Sequence, residues 1–474
     1  MKHTGKTSEL LNNIFLFFIA NFLPRAITFF MVPLYTYCLT TKEYGTVDLM
    51  ITTVQLLLPF LTLQVQDAML RFSIDNSNNS HDVLTVGIRI ITVGTLILIS
   101  GCFLGKLVGI ITLNITYLVI FVIIYFMNAA RNIMSYFCRG INRIKILTVS
   151  NVLLTIVTVI CNLIFLLLFN WGIYGYLLAM CIGNVVAVLI MFFGARLYSH
   201  ISLTVSNPQL TADIIKFSVP MIFSALAWWI NTSLDKYILG YFHGTSAVGL
   251  MAVAYKIPSV ISLLGSAIAN AYSISAIKEF DVNDTDGFLG KSYSVINSCF
   301  VAMCSFLIIC NVWIAKILFS KDFFVAWNYV PPLLLSALAS QLSLTCEQYY
   351  IALKKTNIIS ITAVIGATIN FCANMLFIPK YGAYGAAAAT AFSFFITWLL
   401  RYNILTKRYG LKLKHNIYLE CFMYALIIGQ LFLAKFGNRS VILQIFIFVI
   451  IIALNIKTYI HSLKNILKKL AKSQ

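Results

Sequence analysis

Long apolar segments alternate with short polar stretches along nearly the whole chain, beginning near Leu10. A helix of about 20 apolar residues can cross a hydrocarbon core roughly 30 Å thick, because only a helix satisfies its own backbone groups there. The pattern therefore predicts an all-α protein with about fourteen membrane-spanning helices. The predicted spans are 12–38, 44–67, 84–105, 112–138, 146–169, 173–196, 213–239, 245–274, 290–318, 324–353, 356–378, 382–406, 416–434 and 439–459.

Inside several spans, polar residues recur at steps of three and four positions, so that each set lies on one face of a helix. The clearest set is in the second span, where Asp48, Gln55 and Gln66 share a face with one proline, Pro59. Such a stripe is consistent with hydrogen bonds between packed helices or with the lining of a wet cavity, and both interpretations stay open for each stripe. The residues predicted to line a cavity are Asn21, Asp48, Gln55, Gln66, Asn128, Asn231 and Tyr255.

A weak internal repeat favours the cavity. Asn170–Tyr176 matches Lys380–Ala386, each between two spans, and the offset of about 210 residues covers six spans. Because six is even, both halves enter the membrane from the same side and would be related by an axis along the membrane normal. We therefore predict two six-helix lobes related by a pseudo-two-fold axis along that normal, residues 1–205 and 206–410. Helices 13 and 14 with a basic tail follow as residues 411–474.

The composition excludes a soluble enzyme. Hydrophobic residues make up 60% of the 474 positions and charged residues only 10%, which is too few charges to coat a globular surface of this size. The net charge of +19 would favour nucleic acid in a soluble protein, but the basic residues fall mostly between apolar segments. With the N-terminus inside, the bias of Lys and Arg is about three to one toward the cytoplasmic loops, so we predict that both termini are cytoplasmic.

Ionisable residues inside spans are costly unless they face protein or water. Arg25 is the sharpest case because it lies near the middle of a long apolar span. For Arg89 and Lys256, snorkelling or a structural ion pair competes evenly with cavity lining. Lys256 also precedes Pro258, which is expected to open its helix. Glu347 is a candidate for proton exchange or a carboxylate satisfied by Lys354 or an arginine nearby.

No arrangement of residues indicates catalysis. The six histidines have no metal-binding spacing, the eleven cysteines are scattered singly, and no phosphate-binding or nucleophile motif is present in a usable context. We predict no metal, no cofactor, no nucleic-acid partner and no enzymatic activity.

The residues of the seventh and eighth spans resemble the polysaccharide-transporter family, notably the O-antigen flippases of Wzx type. The resemblance rests on Ser218-Val219-Pro220, Trp228, the run Asn231–Phe242, Val248-Gly249 and Tyr255-Lys256, and in the first half on Arg25, Tyr44-Gly45 and Ala68–Phe72. It covers most of the chain, although its motifs are diffuse. It identifies the chain as similar to members of the multidrug, oligosaccharidyl-lipid and polysaccharide exporter superfamily.

This resemblance implies a cationic cavity lined largely by helices 1, 2, 7 and 8. Its cargo would be an undecaprenyl-diphosphate-linked oligosaccharide, an O-antigen or capsule repeat unit of lipopolysaccharide or polysaccharide biosynthesis. Alternating access would turn it to the periplasmic leaflet of a bacterial inner membrane. A diphosphate requires Arg or Lys in a water-filled cleft. We expect Arg25, Arg71, Arg89 and Lys256 to bind it.

Asp235 and Glu347 are the candidates for coupling to H⁺ or Na⁺. Asp235 and Lys236 at the outer end of the seventh span also match a pair of charges at the membrane interface, which the sequence favours for Asp235. Membrane lipids and a polymerase of the same pathway are the expected partners. The alternatives are a drug or metabolite antiporter of the same fold, for which acids would be expected to dominate the cavity, and a membrane polysaccharide polymerase. The polymerase is disfavoured because the predicted outer loops are mostly shorter than about a dozen residues.

Overall fold

The computed structural model describes residues 24, 26–75, 80–109, 114–201, 208–278, 280–413 and 416–472. Over these ranges the chain is overwhelmingly helical and contains no β-strand. The α-helices there are α1 (Val32–Cys38), α2 (Thr41–Leu61), α3 (Gln66–Asp75), α4 (Ser80–Leu107), α5 (Ile115–Gly140), α6 (Ile144–Asn162), α7 (Gly172–Gly194), α8 (Pro208–Ala254), α9 (Ser259–Lys278), α10 (Phe288–Leu318), α11 (Val330–Ala352), α12 (Thr356–Asn403), α13 (Ile417–Ala434) and α14 (Val441–Lys472).

Nine helical segments of the described ranges are long and apolar enough to cross a membrane. The prediction of an all-α, polytopic membrane protein is confirmed. The helices do not correspond one to one with the predicted spans. α8 and α12 each carry two regions that the sequence separates, and a single glycine with a non-helical backbone, Gly244 or Gly382, marks the turn between them.

The chain divides into two compact units, Met1–Trp229 and Ile230–Gln474. The division lies inside α8, whereas the sequence places a boundary at residue 205. In the first unit, the buried core includes Tyr125 and Phe137 of α5. In the second, Tyr293 of α10 and Tyr349 of α11 are fully buried. The three-part division predicted from the sequence stays a prediction.

The repeated glycine turn has the same construction in both units. Gly172 and Gly382 have φ angles of 51° and 55°, a left-handed conformation that other residues rarely adopt. A Cβ atom added at Gly172 would lie 3.3 Å from a carboxylate oxygen of Glu43, and one added at Gly382 would lie 3.5 Å from the ring of His243. In the first unit, therefore, the glycine packs against the first turn of α2, and in the second unit it packs against the end of the first part of α8.

Side-chain hydrogen bonds lie beside both glycines. The Thr40 hydroxyl accepts from the backbone N–H of Glu43 (3.2 Å), and the Glu43 carboxylate accepts from the Thr40 N–H (2.8 Å), which forms a capping box at the start of α2. In the second unit, Nε2 of His243 lies 2.7 Å from the carbonyl oxygen of Ile378. The two contacts differ, because the first is local to the start of α2 and the second joins α8 to α12.

Small residues allow neighbouring helices to pack closely. A Cβ atom at Gly183 of α7 would overlap the hydroxyl of Thr158 on α6, and one at Gly366 would overlap the hydroxyl of Thr397 in the other half of α12. Close backbone approach at small residues is the usual way in which membrane helices associate. The two units therefore use a glycine and a threonine at the same kind of helix contact.

An aspartate fixes the start of α10. Asp284 is fully buried, and its carboxylate accepts from the backbone N–H groups of Leu289 and Gly290, both at 2.9 Å. The first turn of a helix has such N–H groups without a helical partner. The turn before α10 also contacts the segment before α13, because the Lys412 N–H donates to the Val282 carbonyl (3.1 Å).

Candidate functional site

The helix that carries the clearest polar stripe is broken in the first unit. α2 ends at Leu61, α3 begins at Gln66, and Leu63 and Gln64 between them have φ angles of 51° and 53°. Pro59 lacks a backbone N–H, so it removes one helical hydrogen bond just before the break. Two non-glycine residues in a left-handed conformation form a strained turn, and such turns concentrate at functional sites.

A second break lies in the other unit. α8 ends at Ala254, α9 begins at Ser259, and the four residues between them, 255–258, form turns. The N–H of Lys256 donates to the carbonyl of Val253 (3.0 Å), three residues back instead of four. The predicted opening of this helix at Pro258 is confirmed, because proline cannot donate the next bond. Broken helices of this kind surround the binding sites of many transporters.

Basic residues lie at or after both breaks. Arg71 is exposed on α3, just beyond the first break, and Lys256 is half-buried within the second. Arg89 is exposed on α4. Arg25 and Asn21 lie outside the described residues. That these four cations converge on one anionic group stays a prediction.

A polar cluster that sequence reasoning missed surrounds the first break. The Gln64 side chain donates to the carboxylate of Asp67 (3.3 Å), and Arg139 of α5 acts on the same carboxylate electrostatically. The guanidinium of Arg139 also lies 4.9 Å from the ring centre of Tyr136. Asp67 precedes Arg71 by four residues, a helical spacing that could have drawn attention to it.

The residues of the predicted polar stripe in the first unit differ in their exposure. Asp48 is half-buried on α2, and its backbone carbonyl accepts from the Thr52 hydroxyl (2.6 Å). Gln55 is exposed and Gln66 is half-buried. Gln55 is therefore the member of these three whose side chain is not enclosed by its own unit.

Asn128 takes part in a link between two helices. Its side-chain oxygen lies 3.5 Å from a guanidinium nitrogen of Arg131, and Nε of Arg131 donates to the side chain of Asn184 on α7 (2.9 Å). The Asn128 amide nitrogen donates to the Ile124 carbonyl (2.9 Å). These contacts correspond to the helix-packing interpretation that the sequence left open for this stripe.

Two residues predicted for different roles meet in the second unit. Asp235 of α8 is only 4% exposed, and its carboxylate accepts from the Tyr255 hydroxyl and from the Lys236 N–H, both at 2.9 Å. Tyr255 is the first residue of the second helix break. Asn231, one turn before Asp235, donates to the Ala363 carbonyl of α12 (3.2 Å). A buried carboxylate is thereby joined directly to the broken part of the helix.

Glu347 is held in an ion pair with Arg401, which agrees with the expected alternative of a carboxylate paired with a nearby arginine. Arg401 is 4% exposed, and its guanidinium also donates to the Ser343 hydroxyl (2.7 Å) and the Thr362 hydroxyl (2.9 Å). The Tyr350 hydroxyl donates to the backbone carbonyl of Arg401. One arginine thus joins α11 to both halves of α12. Arg401 lies near the end of the predicted span 382–406, and a charged residue within a span is the sequence feature that could have identified it.

A helical membrane protein with an interrupted span in each unit, and bases at the interruptions, belongs to the class of polytopic transporters. The chain is a member of the family described as polysaccharide biosynthesis protein, whose model matches residues 10–274. This confirms the family resemblance of the sequence.

A curated relative matches the chain at lower coverage. The chain is 25% identical over 262 residues to the "Probable low-salt glycan biosynthesis flippase Agl15" of Haloferax volcanii, a match that covers 52% of this chain and 54% of that protein. The chain therefore spans about half the length of the curated relative it matches.

Solved structures show the same fold at low sequence identity. The lipid II flippase MurJ in an inward closed conformation has a TM-score of 0.70 at 16% identity, over 95% of this chain and 99% of that one. An inward-facing multidrug resistance MATE family transporter of the MOP superfamily has a TM-score of 0.65 at 12% identity, over 83% and 98%. Likeness at these identities shows the fold alone.

Proposed function

We propose that the protein is a flippase that moves a lipid-linked oligosaccharide from the cytoplasmic to the periplasmic leaflet by alternating access. The observation that carries this proposal is the broken helix in each unit with a base beside it, Arg71 in the first and Lys256 in the second. The family, and a relative named as a glycan biosynthesis flippase, support the same class of cargo. A transporter has a use for broken helices with bases beside them, whereas an enzymatic conversion would not require them.

The cargo that best matches these bases is a polyprenyl diphosphate such as undecaprenyl diphosphate, carrying an O-antigen or capsule repeat unit. A diphosphate has several anionic oxygens, and Arg and Lys bind such oxygens with strong, charge-assisted hydrogen bonds. Arg25 and Arg89 complete the proposed set. Gln55 offers an exposed amide to the sugars. The prenyl chain can stay in lipid, in a bacterial inner membrane.

We assign ion coupling by H⁺ or Na⁺ to Asp235 rather than to Glu347. Asp235 contacts Tyr255 at the helix break, so a change in its protonation or ion occupancy would act directly on the segment that carries Lys256. Glu347 is already neutralised by Arg401. Protonating Glu347 would leave the Arg401 charge buried without its partner, which is unfavourable.

Deletion of the gene tests the cargo. Lipid-linked repeat units should accumulate in the inner leaflet of the deletion strain, and the native gene should restore surface polysaccharide. Unchanged lipid-linked intermediates would contradict the flippase. A drug antiporter of the same fold would alter drug resistance and leave these intermediates undisturbed.

Variants test the bases. Arg25→Ala and Lys256→Ala should each lower transport by at least about tenfold, because each removes a charged hydrogen bond to the diphosphate. The amount of protein inserted in the membrane should be unchanged, as quantified by immunoblotting. Lys316→Ala, which removes an exposed base at the end of α10, is the matched control and should transport normally. Normal surface polysaccharide in both variants would exclude these bases from the mechanism.

A further inference from the structure

A narrow apolar groove lies in the second unit between α11, the second half of α12, and α13. Its volume is about 290 Å³, and its lining contains no charged residue. Inward-facing side chains of three helices form it, and no part of the proposed transport site belongs to it. The lining residues that define its length are Pro332, Leu342, Tyr384, Trp398, Tyr424 and Leu431.

The groove is as deep as one leaflet of a bilayer. On α11 it follows a single helical face from Pro332 through Leu335 and Leu338 to Leu342. Ten residues of helix rise about 15 Å, which is half of a hydrocarbon core roughly 30 Å thick. The groove therefore has the length of an extended acyl chain within one leaflet.

At one end the groove adjoins a second cavity of about 460 Å³, here called the mouth, which shares Pro332, Tyr384 and Leu431 with it and contains one charged residue, Lys435. Trp327, Tyr381 and Lys435 line this mouth. The Lys435 ammonium lies 5.1 Å from the ring centre of Tyr384, close enough for a cation–π contact. Tryptophan, tyrosine and lysine together are typical of the level of lipid headgroups.

The mouth is rigidly built. Trp327 lies in the short 3-10 helix Lys321–Tyr329, and its backbone carbonyl accepts from the side-chain amide of Asn311 on α10 (2.9 Å). The ring of Trp327 also lies 3.8 Å from the position that a Cβ atom would take at Gly437. These contacts hold Trp327 in the lining of the mouth, to which Lys435 also belongs.

The groove is open along one side. Phe392 and Ile428 belong to its lining and are 52% and 41% exposed. Exposed apolar side chains of a membrane-spanning helix face lipid, so a chain can enter from the bilayer. Fully enclosed lining residues such as Trp398 then form its inner wall.

We propose that this groove binds one acyl chain of an anionic phospholipid, whose phosphate lies beside Lys435. The apolar length accommodates the chain, and a lysine among aromatic rings accommodates the negative headgroup. A glycan cannot occupy the groove, because the lining supplies almost no polar groups to pair with its hydroxyls. The occupant is a membrane phospholipid, and the proposal does not depend on the transported cargo.

Native mass spectrometry of the detergent-purified protein tests the headgroup. The wild type should retain phosphatidylglycerol about fivefold better than phosphatidylcholine, the effect expected of one basic residue near a lipid phosphate. Lys435→Gln should abolish this preference, and the matched control Lys316→Gln should keep it. A wild type without preference, or a Lys435→Gln variant that keeps it, would overturn the headgroup assignment.

Large side chains test the groove. Ala388→Trp places a ring among the lining residues, and Ile428→Trp narrows the open side without entering the core. Each should reduce retention of both lipids by at least about fivefold. Ala425→Trp, at an exposed position on α13 outside the lining, should not. If Ala388→Trp fails to fold, Ile428→Trp decides, and undiminished retention by that folded variant would overturn the proposal.

Discussion

Single arginines join corresponding helices in both units. Arg131 reaches from α5 to Asn184 of α7, and Arg401 reaches from the second half of α12 to Glu347 of α11. The arginine thus comes from opposite members of the matching helix pairs. In the second unit the partner, Glu347, is charged. Removing one member of that pair should therefore lower the free energy of unfolding more than removing one member of the pair in the first unit.

Breaking the second pair should destabilise the protein strongly. Arg401→Met leaves the Glu347 carboxylate without its partner, which we expect to lower the free energy of unfolding by about 3–5 kcal/mol. The double variant Glu347→Gln with Arg401→Met should recover much of the loss, because it buries no isolated charge. Denaturant unfolding in detergent measures both values.

The control for this experiment is Arg131→Met, whose partner Asn184 is neutral and for which we expect a smaller loss. Equal stability of Arg401→Met and the wild type would contradict the structural role of the pair. Transport by the double variant, in which no charge is left without its partner, provides a second measurement, since retained activity is expected if Asp235 carries the coupling.

At the level of elements, both units combine regular apolar helices with interruptions at few, identifiable residues. Pro59 lies near the end of α2, and Pro258 lies directly before the start of α9. A glycine with a positive φ angle lies in each repeated turn, Gly172 in the first unit and Gly382 in the second. The breaks carry polar and basic side chains, whereas the glycine turns contact neighbouring helices. The proline breaks therefore place polar groups within a membrane helix, whereas the glycine turns pack one helix against another.

Substitution of the repeated glycines should be unfavourable. Gly172→Ala and Gly382→Ala force alanine into a left-handed conformation, which we expect to cost about 1–2 kcal/mol each. Gly101→Ala is the matched control, because Gly101 lies inside α4 and an added Cβ would contact nothing within 4 Å. That control should gain about 0.5–1 kcal/mol. Thermal unfolding distinguishes them, and a stabilised Gly172→Ala would refute the conformational argument.

At the level of the whole molecule, the predicted repeat of six spans would place matching turns on the same side of the membrane. The turns containing Lys42, Lys316 and Lys380 are predicted to lie outside, and that containing Lys354 inside. Each of these lysines is exposed in its unit. A parallel repeat therefore predicts the side of the membrane on which each of these lysines lies.

Cysteine labelling in intact cells tests this topology. In a background without the exposed Cys299, Cys372 and Cys421, Lys42→Cys and Lys380→Cys should react with a membrane-impermeant maleimide. Lys354→Cys should react only after the membrane is opened. If Lys42→Cys and Lys380→Cys were labelled from opposite sides, the halves could not be parallel repeats.

Much of the fold could be predicted from the sequence. The spans, the glycine turns and the opening at Pro258 are local properties, because lipid requires long apolar helices and because proline and glycine restrict or release the backbone at their own positions. The same reasoning placed polar stripes on helix faces. It could not decide which stripe meets water, because a hydrogen bond to a neighbouring helix uses the same residues.

The sequence by itself therefore determined a polytopic helical protein and predicted two similar halves with bases in their spans. Only the tertiary structure decided that Glu347 is paired with Arg401, that Tyr255 donates to Asp235, and that three distant turns place Lys435 among aromatic rings. Helix periodicity fixes the face of a residue but not the neighbour of that face. Contacts between helices far apart in the chain depend on packing, which determines where each charge finds its partner.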